Sequence, residues 1–263
     1  KKYGIPIIFQ MNDVNATLIP FKFLQPIGKI IESHNLKKSD ETVVINEVLR
    51  EYAVKSGSDP NRTHVIPAGV DLKRYDPTIS GDKVRDSLGL DSNDFILFFM
   101  GWLYHFAGLK EVLIELGKKR ELYPHLKILI VGDGDAFEDL KSIIKQYALE
   151  QVVILTGKQP FERIPEFISV SDVCILPSYL NDIMRNIVPI KIYEYMAMEK
   201  PVITTKLPGV MKEFGKDNGV IYVDKPEDVI SKSFKLDICS NGKNARNFVE
   251  NNDWDKITDK FED

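Results

Sequence analysis

The sequence predicts an α/β fold built on mostly parallel sheets. Short apolar runs alternate along the chain with longer segments that have the periodicity of amphipathic helices. Several runs, such as residues 173–176, are apolar throughout, which is typical of strands that are covered on both faces. Strands that alternate with helices form βαβ units with right-handed crossovers. The pattern therefore predicts parallel sheets with helices packed on their faces.

Each predicted element rests on its own pattern of apolar residues. The mainly apolar runs are predicted as strands, and they cover residues 6–10, 42–46, 63–66, 95–100, 127–131, 152–156, 173–176, 202–204 and 220–223. Apolar residues spaced three and four apart predict helices over residues 27–36, 109–121, 136–147, 162–170, 190–198 and 210–213.

A polar stretch near residues 70–92 separates two groups of these elements. We expect residues 1–77 to form a partial N-terminal domain, because about three strands are too few for a complete doubly wound sheet. Residues 78–263 contain the remaining strands and are expected to form a complete C-terminal domain. The N-terminal apolar run is short and interrupted by Pro6, so it is predicted to be a strand entered in mid-domain and not a signal peptide.

Composition excludes several classes of protein. The chain has 263 residues, of which 43% are hydrophobic and 28% are charged, and its net charge of −4 gives no basic excess for binding nucleic acid. Cys174 and Cys239 lie too far apart in sequence for a CxxC motif, so neither a zinc site nor a disulfide framework is predicted. No apolar stretch approaches the roughly 20 residues of a membrane span. The two thiols favour a reducing, cytoplasmic setting.

Three strand-to-helix turns could carry chemistry, because open α/β sheets bind ligands at the carboxyl ends of their strands. The first contains Gly132 and Gly134 but has Phe137 where a dinucleotide fingerprint needs its third glycine. Two interpretations stay open for it: a tight turn with positive φ, or a supporting position beside a ligand. The second turn has Gly101 and Gly108 at its two ends, and such a loop can bring backbone close to a phosphate.

The third turn, over residues 178–202, is the most informative. Pro189 suits the first turn of a helix, and Lys191 and Glu194 follow on roughly one helix face. The helix N–H groups together with Lys191 could hold a diphosphate, and the Glu194 carboxylate could accept hydrogen bonds from a ribose diol. The alternative is an exposed Lys–Glu pair that contributes a few tenths of a kcal/mol to stability.

Six segments, taken in order, resemble the retaining GT-B glycosyltransferases of the large family-four group. The first is the crossover sequence HVIPAGVD at residues 64–71, which is similar to the family's "viPnGvD". The most specific is PIKIYEYMA at residues 189–197 with KPVI at 200–203, and Trp254 resembles the tryptophan of the closing C-terminal helix. The other segments are residues 101–109, 130–134, 153–165 and 171–178.

The resemblance implies two Rossmann-like domains with parallel sheets that face each other across a cleft. The C-terminal domain would bind a nucleotide-diphosphate sugar, and the N-terminal domain a glycan or lipid-linked acceptor. Glu194 matches the family's ribose-binding glutamate, and the N–H groups of Ile190 and Lys191 match the amides that bind the β-phosphate. The remaining matches are Gly101 in the loop over the phosphates and Lys158 and Gln159 at the border of the base.

Departures from the family pattern concentrate around the phosphates and the transferred sugar. Asn186 stands where the first of two glutamates is usual, and Trp102 and Ala107 stand where a basic pair is usual. Lys191, or Arg185 as second choice, could supply the missing positive charge. We therefore predict Lys191 and Asn186 as the catalytic positions, and we place Trp102 and Arg185 in the donor site. Neither a metal nor a cofactor is expected.

Three functions stay open on the sequence. The first is a retaining glycosyltransferase of polysaccharide or glycolipid biosynthesis that moves a hexose, with peripheral contact at the inner face of a membrane as an option. The second is a catalytically inactive module of the same fold that binds nucleotide sugars. The third is a nicotinamide-dependent dehydrogenase, which rests only on the Gly132–Gly134 turn.

Overall fold

The structure, a computed structural model, describes residues 4–19 and 21–262 and contains two parallel sheets. Residues 1–3, 20 and 263 of the two predicted domains lie outside the described residues. The strands are β1 (Ile8–Met11), β2 (Glu41–Val44), β3 (Thr63–Val65), β4 (Phe95–Met100), β5 (Leu126–Val131), β6 (Val153–Leu155), β7 (Val173–Leu176), β8 (Val202–Thr205) and β9 (Val220–Val223). All nine predicted strands are present, and their ends differ from the prediction by two residues at most.

The smaller unit has three strands in the order β1-β2-β3, all parallel. Two helices connect them, α1 (Gln25–Lys38) and α2 (Glu47–Lys55). The Asn46 side chain accepts a hydrogen bond from the Leu49 backbone N–H at 2.8 Å and so caps α2. A small core forms where the helices pack on the sheet, and it consists of Met11, Leu36, Val44, Leu49 and Ala53.

The larger unit has six parallel strands in the order β6-β5-β4-β7-β8-β9. All four residues of both β7 and β8 are buried, which explains why these strands are apolar throughout and do not alternate. The chain adds strands outward from β4 to β6 and then returns to place β7 on the other side of β4. The strand order therefore reverses between β4 and β7, and sheets of this type bind ligands at such a reversal.

Nine helices of the larger unit are described around this sheet. They are α3 (Asp82–Ser87), α4 (Leu109–Lys119), α5 (Phe137–Gln146), α6 (Ile164–Ser169), α7 (Lys191–Ala197), α8 (Pro208–Phe214), α9 (Asp228–Ser233), α10 (Ile238–Val249) and α11 (Trp254–Glu262). The prediction omitted α2, α3, α9 and α10. The first residues of α10 have a low intrinsic helix propensity. Gly242 is nevertheless required there, because a side chain at this position would overlap the Glu199 carbonyl oxygen. Packing therefore overrides local propensity in α10.

The connection between the two units packs mainly with the larger one. Ala68, Val70 and Tyr75 belong to the larger hydrophobic core, so this core begins before the predicted division at residue 77. The Val70 backbone donates to the Asn252 carbonyl at 2.9 Å and accepts from the Trp254 N–H at 3.2 Å. The start of α11 is therefore fastened to the segment that joins the two sheets.

Three glycines form a row at the carboxyl ends of β4, β5 and β6. Gly101, Gly132 and Gly157 have φ values of 122°, 143° and 68°. Backbone hydrogen bonds of 2.9 Å join the row, one from Gly101 to Val131 and one from Gly132 to Gly157. A side chain at Gly132 would overlap the Gly101 carbonyl oxygen. The Gly132–Gly134 turn is a tight turn that needs positive φ, as one interpretation predicts. Gly132 also lines the cleft described below, so the second interpretation, a position beside a ligand, stays a prediction.

We expect Gly132→Ala to lower the free energy of unfolding by at least about 2 kcal/mol, because it adds a backbone clash to an unfavourable φ. Gly89→Ala is the matched control: Gly89 also has positive φ, but its substituent would meet no atom within 4 Å. The control should lose only about 1 kcal/mol. Equal losses in chemical denaturation of the two variants would contradict the close approach at Gly132.

Candidate active site

A cleft of about 890 Å³ lies where the strand order of the larger sheet reverses, and both units contribute to it. The smaller unit lines one wall with residues at and after the ends of its strands: Gln10, Asn12, Asp13, Val43 and Ile45. The larger unit lines the opposite wall with the loops after β4, β5 and β6 and with the start of α7. The C-terminal helix adds Trp254, Ile257 and Thr258.

Seven of the nine predicted site residues line this cleft: Gly101, Trp102, Lys158, Gln159, Ile190, Lys191 and Glu194. Arg185 and Asn186 are outside the set of described residues that line it. Arg185 is exposed, and its carbonyl accepts from the Gly209 N–H at 2.9 Å. Asn186 lines a second pocket of about 150 Å³, and its carbonyl accepts from the Asn46 amide at 3.3 Å. The roles proposed for these two residues stay predictions.

Lys191 reaches from the start of α7 to the end of β4. Its ammonium donates a hydrogen bond of 2.7 Å to the Met100 carbonyl and lies 4.5 Å from the centroid of the Phe99 ring. Gly101 follows directly, and a side chain there would come within 2.5 Å of the Lys191 ammonium. Desolvation lowers the pKa of Lys191 to about 8, although the Glu194 charge acts in the opposite direction. A cation from α7 thus stands beside the loop that lacks the family's basic pair.

Glu194 lies one turn further along α7 and is held by the segment that joins the two units. One carboxylate oxygen accepts a hydrogen bond of 2.8 Å from the Tyr75 hydroxyl. Burial raises the pKa of the Glu194 carboxyl, whereas the Tyr75 hydrogen bond and the charges of Lys191 and Arg74 act to lower it. Sequence reasoning missed Tyr75, because no spacing relates a residue of this segment to a helix 119 residues later.

The loop after β6, which is an edge strand of the larger sheet, forms another border of the cleft. Lys158 is exposed, and the Gln159 side-chain amide donates to the Thr156 carbonyl at 3.1 Å. Phe161 also lines the cleft, and the Arg74 guanidinium lies 4.5 Å from the centroid of its ring. Phe161 is not among the predicted site residues, although an aromatic residue just after a strand end is a signal for a surface on which a ligand can stack.

Trp102 presents an aromatic surface to the cleft where the resemblance places a cation. The indole ring is half exposed, and its N–H donates to the Asp135 carboxylate at 3.4 Å. Ala107, at the other position of the usual basic pair, is buried. Neither side chain can offset the charge of a diphosphate, which leaves Lys191 as the cation that stands at the end of β4.

Asp13 is the acidic group on the wall of the smaller unit. It lines both the cleft and the second pocket, and burial raises the pKa of its carboxyl. Among the residues that the structure describes, no three histidine, cysteine, aspartate or glutamate side chains are grouped so that they could hold a metal ion. The described residues of the cleft thus offer hydrogen-bonding groups and the partly buried Lys191 ammonium.

Comparison with known proteins identifies the family. The sequence model of the glycosyl transferases group 1 family matches residues 80–262. The chain belongs to this family. Among its curated relatives is the UDP-Gal:alpha-D-GlcNAc-diphosphoundecaprenol alpha-1,3-galactosyltransferase of Escherichia coli, which is 29% identical over 88% of this chain and 60% of its own length. An uncharacterized glycosyltransferase of Methanocaldococcus jannaschii is 25% identical over 89% of this chain and 59% of its own length.

Solved structures confirm the GT-B glycosyltransferase fold. The Anabaena protein Alr3699/HepE, crystallised with UDP, superposes with a TM-score of 0.82 at 18% identity, over 98% of this chain and 71% of that one. WaaG, a glycosyltransferase involved in lipopolysaccharide biosynthesis, superposes with a TM-score of 0.77 at 16% identity, over 98% of this chain and 74% of that one. The chain spans about three fifths of the length of the two curated relatives described above.

We expect the Lys191 amine to titrate near pH 8 in the unliganded protein, because burial disfavours its charged form. The Glu194→Gln variant should titrate at a lower pH still, since the charge that favours the ammonium is removed. NMR titration of the lysine Cε resonances measures both values, and Lys191→Arg assigns the signal by its loss. A midpoint at the ordinary value of 10.5 would show that the amine is solvated.

Proposed function

We propose that this chain is the donor-binding part, together with a portion of the acceptor side, of a retaining glycosyltransferase. The enzyme would move a hexose from a nucleotide-diphosphate sugar to a glycan or lipid-linked acceptor. One observation carries the proposal: Gly101, Lys191 and Glu194 come together on one wall of a cleft at the point where the strand order reverses. Family membership adds independent support.

Each part of the donor is assigned in this proposal to the wall residues whose chemistry suits it. The Glu194 carboxylate accepts hydrogen bonds from the ribose diol. The diphosphate lies against the Gly101 backbone, the N–H groups of Ile190 and Lys191 and the Lys191 ammonium, since the first turn of a helix leaves its N–H groups without helical acceptors. The base lies toward Lys158 and Gln159. UDP is the first nucleotide to test, because it occurs in the name of the Escherichia coli relative and in the Anabaena complex.

The proposed reaction needs few protein groups. The bond between C1 of the hexose and the phosphate oxygen breaks through an oxocarbenium-like transition state, and the acceptor oxygen forms its bond to C1 on the same face. The departing phosphate takes the proton of the acceptor hydroxyl. Negative charge that develops on the phosphate is stabilised by the Lys191 ammonium and the neighbouring N–H groups, which makes Lys191 the catalytic residue of the proposal. Asn186 keeps its predicted place near the transferred sugar only if the turn at residues 182–186 rearranges.

A second candidate is an inactive module that binds nucleotide sugars. It is favoured by the absence of charge at Trp102 and Ala107. The hydrogen bond from Lys191 to Met100 uses one of the three N–H donors of the ammonium. Donor turnover separates the two candidates. Hydrolysis or transfer of a UDP-hexose, followed by NMR at the anomeric carbon, would show both that the protein is active and whether it retains configuration. Nucleotide binding with no turnover would favour the inactive module.

Peripheral contact with a membrane surface is a further part of the proposal. It is supported by a group of exposed apolar side chains in the smaller unit, with exposed Lys22 and Lys29 among them in sequence: Phe21, Phe23, Ile27, Ile30 and Ile31. The acceptor in the name of the Escherichia coli relative is lipid-linked. Within residues 4–19 and 21–262, the helices are all too short or too polar to cross a bilayer.

A binding panel tests the donor class. Thermal unfolding is measured with UDP, GDP, ADP and their hexose derivatives, because a ligand that binds only the folded protein raises its stability by RT ln(1 + [L]/Kd). One nucleotide should raise the melting temperature selectively. No shift with any of them at millimolar concentration would contradict the proposed function.

We expect Glu194→Gln to weaken binding of the selected nucleotide by about ten-fold, because a charged acceptor is lost from the ribose site. The free energy of unfolding should change little, since Tyr75 can still donate to the amide oxygen. Glu213→Gln is the matched control, because Glu213 accepts from the Tyr193 hydroxyl in the same way but is outside the cleft lining. Unchanged nucleotide affinity in Glu194→Gln would remove this residue from the site.

We expect Lys191→Ala to raise the donor KM and to lower kcat, each by about ten-fold or more, if the contact strengthens as the phosphate leaves. Donor affinity of the wild type should also decrease above about pH 8, as the ammonium loses its proton. Lys191→Arg should lose this alkaline decrease because arginine stays charged. Lys206→Ala, which removes an exposed lysine paired with Asp224, is the control. A Lys191→Ala protein with wild-type kinetics would show that the phosphate charge is balanced elsewhere.

A further inference from the structure

The segment that joins the two units inserts a buried tyrosine beside the candidate ribose site. Tyr75 is 2% exposed and belongs to the core of the larger unit, yet it also lines the cleft. Its hydroxyl donates to a Glu194 carboxylate oxygen at 2.8 Å, across 119 residues of sequence. The contact therefore joins the connection between the two sheets to the helix that carries the candidate donor site.

Arg246 of α10 fixes this segment at a second point. One guanidinium nitrogen donates to the Tyr75 carbonyl at 3.1 Å and to the Ala197 carbonyl at 2.7 Å. Ala197 is the last residue of α7. The backbone of Tyr75 is thus held to the end of α7, while its side chain reaches Glu194 in the middle of the same helix. Two attachments of this kind leave little freedom for the tyrosine ring.

We propose that Tyr75 is a positioning residue of the donor site, whose hydroxyl orients the Glu194 carboxylate toward the cleft and whose backbone is set by Arg246. This inference rests on the proposed function, because it requires Glu194 to bind the nucleotide. A glutamate side chain has three rotatable bonds, so an ordered hydrogen bond to one oxygen leaves the other oxygen pre-oriented for a ligand. Tyr75 itself does not contact the nucleotide in this proposal.

The same contact has a consequence for the pH dependence of binding. The groups that influence the protonation of Glu194 are Tyr75, Lys191 and Arg74, and all three favour the carboxylate. Removing the Tyr75 hydroxyl raises the pKa of Glu194 further. Nucleotide binding that needs the carboxylate is then lost at a higher pH as the solution is acidified.

A double-mutant cycle tests the proposal, with Tyr75→Phe, Glu194→Ala and the double variant, and with nucleotide affinity measured by calorimetry. Tyr75→Phe alone should weaken binding about five-fold, and this effect should disappear in the Glu194→Ala background. Nucleotide affinity should also be measured against pH, and the pH at which affinity falls on acidification should be higher in Tyr75→Phe than in the wild type. Tyr193→Phe is the control, because it removes an equivalent buried bond to Glu213 outside the cleft and should leave the affinity unchanged.

The outcomes separate this inference from the proposed function. If the wild type binds no nucleotide, the proposed function fails. If the wild type binds and Glu194→Ala weakens binding, but Tyr75→Phe changes neither affinity nor the pH at which affinity falls, only the positioning role fails. Equal effects of Tyr75→Phe in both backgrounds would also overturn it, because they would show a general loss of packing. Should Tyr75→Phe not fold, Arg246→Met replaces it in the same cycle and is judged by the same criteria.

Discussion

The hydrogen bond from the Lys191 ammonium to the Met100 carbonyl is the contact on which the candidate site depends. It joins the helix that follows β7 to the end of β4, and the strand order reverses between these two strands. Gly101 has a φ of 122°, which side-chain-bearing residues rarely adopt, and a side chain there would also displace the Lys191 ammonium. At the end of the next strand, Gly132 approaches the Gly101 carbonyl so closely that a side chain would overlap it. Backbone, not side chains, therefore forms this edge of the sheet, and a phosphate can approach it closely.

The strands could be predicted because a strand that is buried on both faces has apolar residues throughout. The strand β7 shows this pattern, and all residues of both β7 and β8 are buried. Helices were predicted less completely. Asn46 caps α2, and an asparagine at that position is a usable helix signal, although the prediction places it at the end of a strand. The sequence of α10, by contrast, gives little local preference for a helix. Gly242 in α10 is required by the nearby Glu199 backbone, and such a contact cannot be inferred before the fold is known.

Some site residues could also be predicted from the sequence, and others could not. Lys191 and Glu194 could be predicted because a helix fixes their spacing, and both line the cleft. Arg185 and Asn186 lie in an irregular turn before that helix, where spacing fixes no direction, and they are outside the described cleft lining. Tyr75 and Arg246 could not be selected from sequence at all, because their contacts with Glu194 and Ala197 join segments that are far apart in the chain.

Burial of Lys191 has two opposing effects on the proposed donor site. Desolvation lowers the pKa of Lys191 to about 8, so in a fraction of the molecules the Lys191 amine is neutral at mildly alkaline pH. The same low dielectric strengthens the attraction between the ammonium and a diphosphate, and a bound diphosphate favours the protonated form in turn. We therefore propose that one partly buried lysine, together with neighbouring helix N–H groups, takes the place of the usual basic pair. The cost of holding that charge before the ligand arrives is reduced by the Met100 carbonyl and by the Glu194 charge, and Tyr75 keeps Glu194 in place.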